Sequence, residues 1–143
     1  MKKIIKKGLL FLDVFMVIFL IGSNVKASYH VVEFTVETHG YYWDDEDIVE
    51  EFDEKVTDDY MEICIYNNVD TTSQLDFSAV GSNNRYPSSA VDCSGGHVYR
   101  LGRGDYVNNV INYVYENGYK YAGLKAQAVD DSYTVLRGVF IAN

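Results

Sequence analysis

The sequence predicts a mainly β protein: a small antiparallel sandwich or barrel with one or two short helices. Residues 31–36 are rich in β-branched side chains, as strands are. Residues 60–66 alternate between apolar Met61, Ile63 and Ile65 and more polar positions, which is the period of a strand. Segments rich in Gly, Asn, Asp and Ser separate such runs, so we expect six or seven strands in one domain.

The remaining predicted strands are spread over the C-terminal two thirds of the chain. Residues 81–89 have the composition of a loop and contain the single proline, Pro87. Residues 91–96 form a glycine-bounded bend that carries Cys93. The predicted strands are 75–80, 97–101, 119–128 and 133–141.

The acidic segment 44–59 is predicted to form a short amphipathic helix. Ile48, Val49, Phe52 and Val56 are spaced as on one face of a helix. Its first residues are acidic, which the helix dipole favours. A mobile acidic loop is the alternative.

Residues 106–116 have two interpretations. Their apolar residues recur at helical spacing, and Gly118 could end such a helix. However, Asn117-Gly118 stands between two β-rich runs, 111–115 and 119–122, which is a strong hairpin signal. The β-branched and Asn-rich composition favours the hairpin.

The N-terminal residues 1–27 predict a cleaved signal peptide. Four lysines precede an apolar stretch from Gly8 to Gly22, and Val25-Lys26-Ala27 places small residues before a cleavage site. Asp13 interrupts the apolar stretch, which is also short for a membrane span. An uncleaved anchor is the alternative, so contact with a membrane is expected only through this segment. The remainder, 28–143, is predicted to be a secreted β-rich domain.

The charge excludes some partners of the predicted mature chain. Residues 28–143 contain 7 basic and 20 acidic residues, a net charge of −13 against −9 for the whole chain. Nucleic acids are bound mainly through Lys and Arg on phosphates, so we expect no nucleic-acid partner. A cationic partner or metal ions fit this charge better, and we expect a protein, peptide or cell-surface partner. Acidity also keeps an exported domain soluble.

Cys64 and Cys93 are the two cysteines of the chain. An even pair in a small exported domain is typical of a disulfide, so we predict a Cys64–Cys93 bond. Free buried thiols or a reactive Cys93 are the alternatives.

The sequence contains no recognisable catalytic or metal-binding pattern. Cys93 and Ser94 lie in Asp-Cys-Ser-Gly-Gly, which lacks the surroundings of known nucleophiles. The three histidines have no zinc-ligand spacing, and the acidic run lacks the EF-hand pattern. We therefore expect no enzyme activity, metal or cofactor.

Two groups of residues are candidates for binding. The first is the acidic run at the start of the predicted helix, which could hold a cationic partner. The second is a set of tyrosines around Asn117-Gly118, because tyrosine is enriched at interfaces, although it is also common in paired strands. The candidates are Asp44, Asp45, Glu46, Asp47, Tyr113, Tyr115, Tyr119 and Tyr121.

The segment 112–124, Asn-Tyr-Val-Tyr-Glu-Asn-Gly-Tyr-Lys-Tyr-Ala-Gly-Leu, and the later Gly138-Val139-Phe140 resemble small uncharacterised exported proteins of Gram-positive bacteria. Some of those proteins are encoded near bacteriocin export systems. The resemblance implies Gram-positive secretion and a bacteriocin-like or bacteriocin-associated role. We therefore expect a secreted, non-enzymatic binding protein. The alternatives are an acidic accessory or immunity factor that sequesters a cationic peptide and, as the less favoured one, an exported enzyme.

Overall fold

The computed structural model describes residues 30–40, 46–68 and 73–143. The predicted signal peptide, 1–27, lies outside these residues, as do Asp44 and Asp45. The strands are β1 (Val32–Thr38), β2 (Glu46–Ile48), β3 (Asp53–Glu54), β4 (Met61–Asn68), β5 (Leu75–Ser82), β6 (Val91–Asp92), β7 (Tyr99–Leu101), β8 (Tyr106–Val110), β9 (Tyr121–Ala128) and β10 (Thr134–Ile141).

Two antiparallel sheets pack face to face. The first has the order β1-β10-β4-β8. In the second, β9 pairs with β5, the outer edge of β9 is covered by β2 and β3, and that of β5 by β6 and β7. The predicted mainly β, antiparallel class is confirmed. The described residues contain no helix, so the expected short helices are not found there.

The core lies between the sheets and is made by the alternating apolar positions of the strands. Val32, Phe34 and Val36 of β1 are buried while their neighbours are exposed, as the period of a strand requires. The Phe34 ring meets Phe77 of the second sheet, with 6.0 Å between ring centroids. Phe140 packs on the same ring at 6.2 Å, so Phe34 lies at the centre of the contact between the sheets.

The acidic segment does not form the predicted helix. Residues 46–48 and 53–54 are strands that pair with β9, and residues 49–52 leave the ladder between them. Val49 and Phe52 are buried as the periodicity expects, but Val56 is 60% exposed. Val49 and Phe52 are therefore buried against the second sheet, and not on one face of a helix.

The structure corrects both interpretations of residues 106–116. Residues 106–110 are strand β8, and residues 114–118 form a single turn. The Tyr119 N–H donates to the Val114 carbonyl and the Gly118 N–H to the Tyr115 carbonyl, each at 3.0 Å. This is a Schellman pattern, with Gly118 at φ +77° as the left-handed residue. The Asn117-Gly118 hairpin is wrong because Gly118 ends a helical turn instead of joining two strands.

Gly118→Ala should destabilise the protein by about 1 kcal/mol, because a Cβ is strained at positive φ even where space is free. A Cβ at this position would have no atom within 4 Å, so no clash adds to that effect. Urea unfolding followed by circular dichroism measures the change. A stability equal to wild type would contradict the turn.

Candidate functional site

An acidic cleft opens between the edge of β1 and the residues that join β2 to β3. Its volume is about 470 Å³, within the range of small-ligand pockets. We call it the acidic cleft, and its lining residues are Glu33, Phe34, Thr35, Glu50, Glu51, Tyr66 and Tyr86.

One wall of the acidic cleft is the excursion of residues 49–52. The Val49 N–H still donates to the Leu124 carbonyl at 3.1 Å, after which the chain leaves β9. Phe52 is fully buried, and its ring lies over Gly123, where a Cβ would be 2.3 Å from the ring. Because Gly123 has no side chain, the Phe52 ring can pack against it and hold this wall in place. Glu50 and Glu51 lie between the two fixed points, which are the Val49 hydrogen bond and the Phe52 ring.

The opposite wall is β1, which is held beside β2 and β3 at both ends of the acidic cleft. At one end the Glu37 N–H donates to Asp47 Oδ2 at 2.7 Å. At the other, His30 Nδ1 lies 3.1 Å from Oδ1 of the buried Asp53. Between these contacts β1 pairs with β10, and no strand of the described residues pairs with its other side. The cleft is thus the gap between the free edge of β1 and residues 49–52.

Tyr66 reaches the acidic cleft from β4 because of a bulge. Arg137 pairs with Asn67 and Gly138 with Ile65, so Tyr66 has no partner on β10. Burial raises the pKa of its phenol, the nearby Glu33 carboxylate raises it further, and Arg137 lowers it. The phenol therefore stays protonated and can donate a hydrogen bond.

Of the three cleft carboxylates, Glu51 is already neutralised. Arg85 Nε donates to Glu51 Oε1 at 3.0 Å, and the Tyr86 hydroxyl donates to the same oxygen at 3.4 Å. Glu33 and Glu50 form no salt bridge with any described residue. Two carboxylates without a salt bridge, beside tyrosine rings, can bind an ammonium or guanidinium group through charge-assisted hydrogen bonds and ring contacts.

Of the predicted acidic binding residues, Glu46 and Asp47 are among the described residues, and neither lines this cleft. Glu46 forms a salt bridge with Lys125 at 2.9 Å, across the β2–β9 pair. The Asp47 carboxylate accepts the Glu37 N–H. Both carboxylates therefore have partners within the fold, and binding of another molecule by them stays a prediction.

The four predicted tyrosines separate into two pairs. Tyr113, beside the turn at 114–118, is 42% exposed, and Tyr115, within that turn, is 52% exposed. Tyr119 and Tyr121 are half-buried against the core. None of the four lines the acidic cleft. An interface at these tyrosines also stays a prediction.

The predicted Cys64–Cys93 disulfide is wrong, because both cysteines are free. Cys64 points to the outer face of the first sheet, opposite to the buried Ile63 and Ile65. Cys93 belongs to the core, where its sulfur packs against Gly81 and accepts a hydrogen bond from Asn117 at 3.7 Å. The first sheet separates the two thiols, and a disulfide needs Cα atoms within about 7 Å and Cβ atoms that face each other.

Alkylation of the unfolded protein without reductant should modify both cysteines. In the folded protein Cys93 should react slowly, because it is 1% exposed and burial raises the pKa of its thiol. Intact mass spectrometry after iodoacetamide treatment measures both. A protein that takes up the reagent only after reduction would contradict the free thiols.

The residues considered for catalysis and metal binding do not form a described site. The side chains of Cys93 and Ser94 make no hydrogen bond to a histidine ring among the described residues. The His97 backbone N–H donates to the Ser94 carbonyl at 3.1 Å, and the His97 side chain is exposed. The Asp92 carboxylate accepts the Ser94 N–H at 2.8 Å and so shapes the bend. In the described part of the chain, no three His, Cys, Asp or Glu side chains are grouped as metal ligands would be.

No described helix has the length and apolar character that crossing a membrane requires. The chain matches no protein-family model, no curated protein and no solved structure.

Proposed function

We propose that residues 28–143 form a small secreted, non-enzymatic binding protein whose acidic cleft holds a cationic segment of a peptide or protein. The observation that carries the proposal is the meeting of Glu33, Glu50, Tyr66 and Tyr86 in one cavity of about 470 Å³. Secretion and the absence of enzyme activity come from the sequence and are part of the proposal.

Both the carboxylates in the cleft and the net charge of the domain support a cationic partner. In the cleft, the Glu33 and Glu50 carboxylates form no salt bridge with any described residue. At longer range, the net charge of −13 for residues 28–143 attracts a basic molecule and raises its rate of association. Salt should therefore weaken binding.

The tyrosines supply contact area for the aliphatic part of a Lys or Arg side chain. Tyr86 is 62% exposed at the mouth of the cleft, and its hydroxyl is held by Glu51. Tyr66 is half-buried beside Glu33. A long basic side chain can lie along such rings while its charged end reaches a carboxylate.

The resemblance to exported proteins linked with bacteriocin systems adds a biological context. An acidic exported protein that sequesters a cationic peptide in such a cleft would act as an accessory or immunity factor. This role follows from the proposed cleft and the resemblance together.

Neutralising both free carboxylates, in Glu33→Gln/Glu50→Gln, should weaken binding of a lysine-rich peptide by about tenfold, since charge-assisted hydrogen bonds contribute ~1.5–3 kcal/mol each and exposed ones less. Isothermal titration calorimetry with residues 28–143 at low and at physiological salt measures the affinity.

The matched control is Glu116→Gln/Asp131→Asn, which removes the same charge from exposed positions that do not line the cleft. This control should bind nearly as tightly as wild type. Equal weakening in both variants would show an effect of net charge alone and would contradict the cleft.

A further inference from the structure

The open edge of β1 forms one wall of the acidic cleft. In an antiparallel ladder, successive residues direct their N–H and C=O groups alternately toward one neighbour and the other. The Glu37 N–H points away from β10, because it donates to Asp47. Thr35 and Glu33, which lie two and four residues before Glu37, therefore point their backbone groups the same way, into the cleft.

The edge is blocked at its ends and open in the middle. Asp47 occupies the Glu37 donor, and the His30–Asp53 contact closes the other end. No described residue forms a hydrogen bond with the outward backbone groups of Glu33 or Thr35. Open sheet edges are where extended peptides add as an extra strand, and blocking groups limit how long such a peptide can be.

The surrounding charge indicates which peptide fits. In an added strand, the residue opposite Glu33 points its side chain to the same face as Glu33. That face carries the Glu33 carboxylate and the Tyr66 phenol, while Glu50 faces the peptide from the far wall. Basic residues at alternate positions would meet these groups, and small residues between them would fit beside Phe34.

We propose that the acidic cleft binds a short extended basic peptide by strand addition to β1, with backbone hydrogen bonds to Glu33 and Thr35. This inference rests on the proposed function and adds its binding mode. Main-chain hydrogen bonds supply affinity, and the carboxylates select basic side chains at every second position.

The test uses a peptide of alternating lysine and threonine, acetylated and amidated at its ends, and two N-methylated versions. One version is methylated at the amides of the lysines and the other at those of the threonines, so composition and charge are equal. In an added strand one set of amides faces β1 and the other faces away. One version should lose about tenfold in affinity and the other should bind nearly as well as the parent.

Two controls distinguish this binding mode from the proposed function. If both methylated versions bind as the parent does and Glu33→Gln/Glu50→Gln still weakens binding, strand addition is wrong and the cleft stands. If the double substitution has no effect either, both proposals fail. Hydrogen exchange supplies a second measure, because the Glu33 and Thr35 amides should exchange more slowly when the parent peptide is bound.

A second copy of the chain could also add to this edge. Sedimentation of residues 28–143 without peptide should show a monomer. A dimer that dissociates on peptide addition would support the open edge, whereas a dimer that excludes the peptide would overturn the proposal.

Discussion

Phe52→Ala should lower the free energy of unfolding by roughly 3–5 kcal/mol, the usual loss for a buried phenylalanine. Phe52 is fully buried, and its ring covers Gly123. Because a small domain has a stability of about 5–15 kcal/mol in total, this loss is large. The substitution also releases the wall that carries Glu50 and Glu51, so peptide binding should weaken under conditions where the variant is still folded.

Val56→Ala is the matched control for Phe52→Ala. The sequence places both residues on one apolar stripe, but Val56 is 60% exposed. Its substitution should change stability by less than about 0.5 kcal/mol. Urea unfolding of both variants measures the difference, and similar losses would contradict the strand-and-excursion structure of 46–54 in favour of a helix.

Gly138→Ala should destabilise the protein by about 2–3 kcal/mol, because the added methyl group has no space. A Cβ at Gly138 would lie 2.5 Å from the Cys64 carbonyl oxygen and 2.7 Å from Cζ of Phe34. The carbonyl belongs to β4, which pairs with β10 on both sides of Gly138, so it cannot move without disturbing that pairing. The Phe34 ring is held between Phe77 and Phe140.

The reference for Gly138→Ala is Gly118→Ala, where only the backbone angle opposes the substitution. Gly138→Ala should therefore have the lower melting temperature of the two. If Gly138→Ala were as stable as wild type, the close packing of Phe34 on β10 would be wrong.

The strands that the sequence predicts are those whose side chains alternate locally. Residues 31–36, 60–66, 75–80, 119–128 and 133–141 correspond to the five longest strands, within one or two residues at most ends. The local alternation of apolar and polar residues is sufficient to predict these strands, because one face of each strand packs against the core. The predicted helix is wrong because the same spacing of Val49 and Phe52 also suits a short strand followed by an excursion.

Asn117-Gly118 shows why one signal permits two structures. A tight hairpin turn and the end of a helical turn both need a residue at positive φ, and Gly118 supplies it at +77°.

The cysteine pair shows a different limit of prediction from sequence. Alternation along 60–66 already places Cys64 opposite the apolar face, but the position of Cys93 depends on how the two sheets pack.

The acidic cleft was beyond local sequence reasoning for a related reason. Glu50 and Glu51 belong to the acidic segment that the sequence singles out, but Glu33, Tyr66 and Tyr86 come from three distant parts of the chain. Their meeting depends on β1 lying at a sheet edge and on the bulge at Tyr66. Neither feature has a sequence signal of its own.

The most direct test of the acidic cleft is a map of amide chemical shifts in ¹⁵N-labelled residues 28–143 during titration with the lysine–threonine peptide. We expect the largest changes at 33–35, 50–51, Tyr66 and Tyr86, and their loss in Glu33→Gln/Glu50→Gln. Largest changes at Glu46 and Asp47 or at 113–121, or no change at all, would contradict the account.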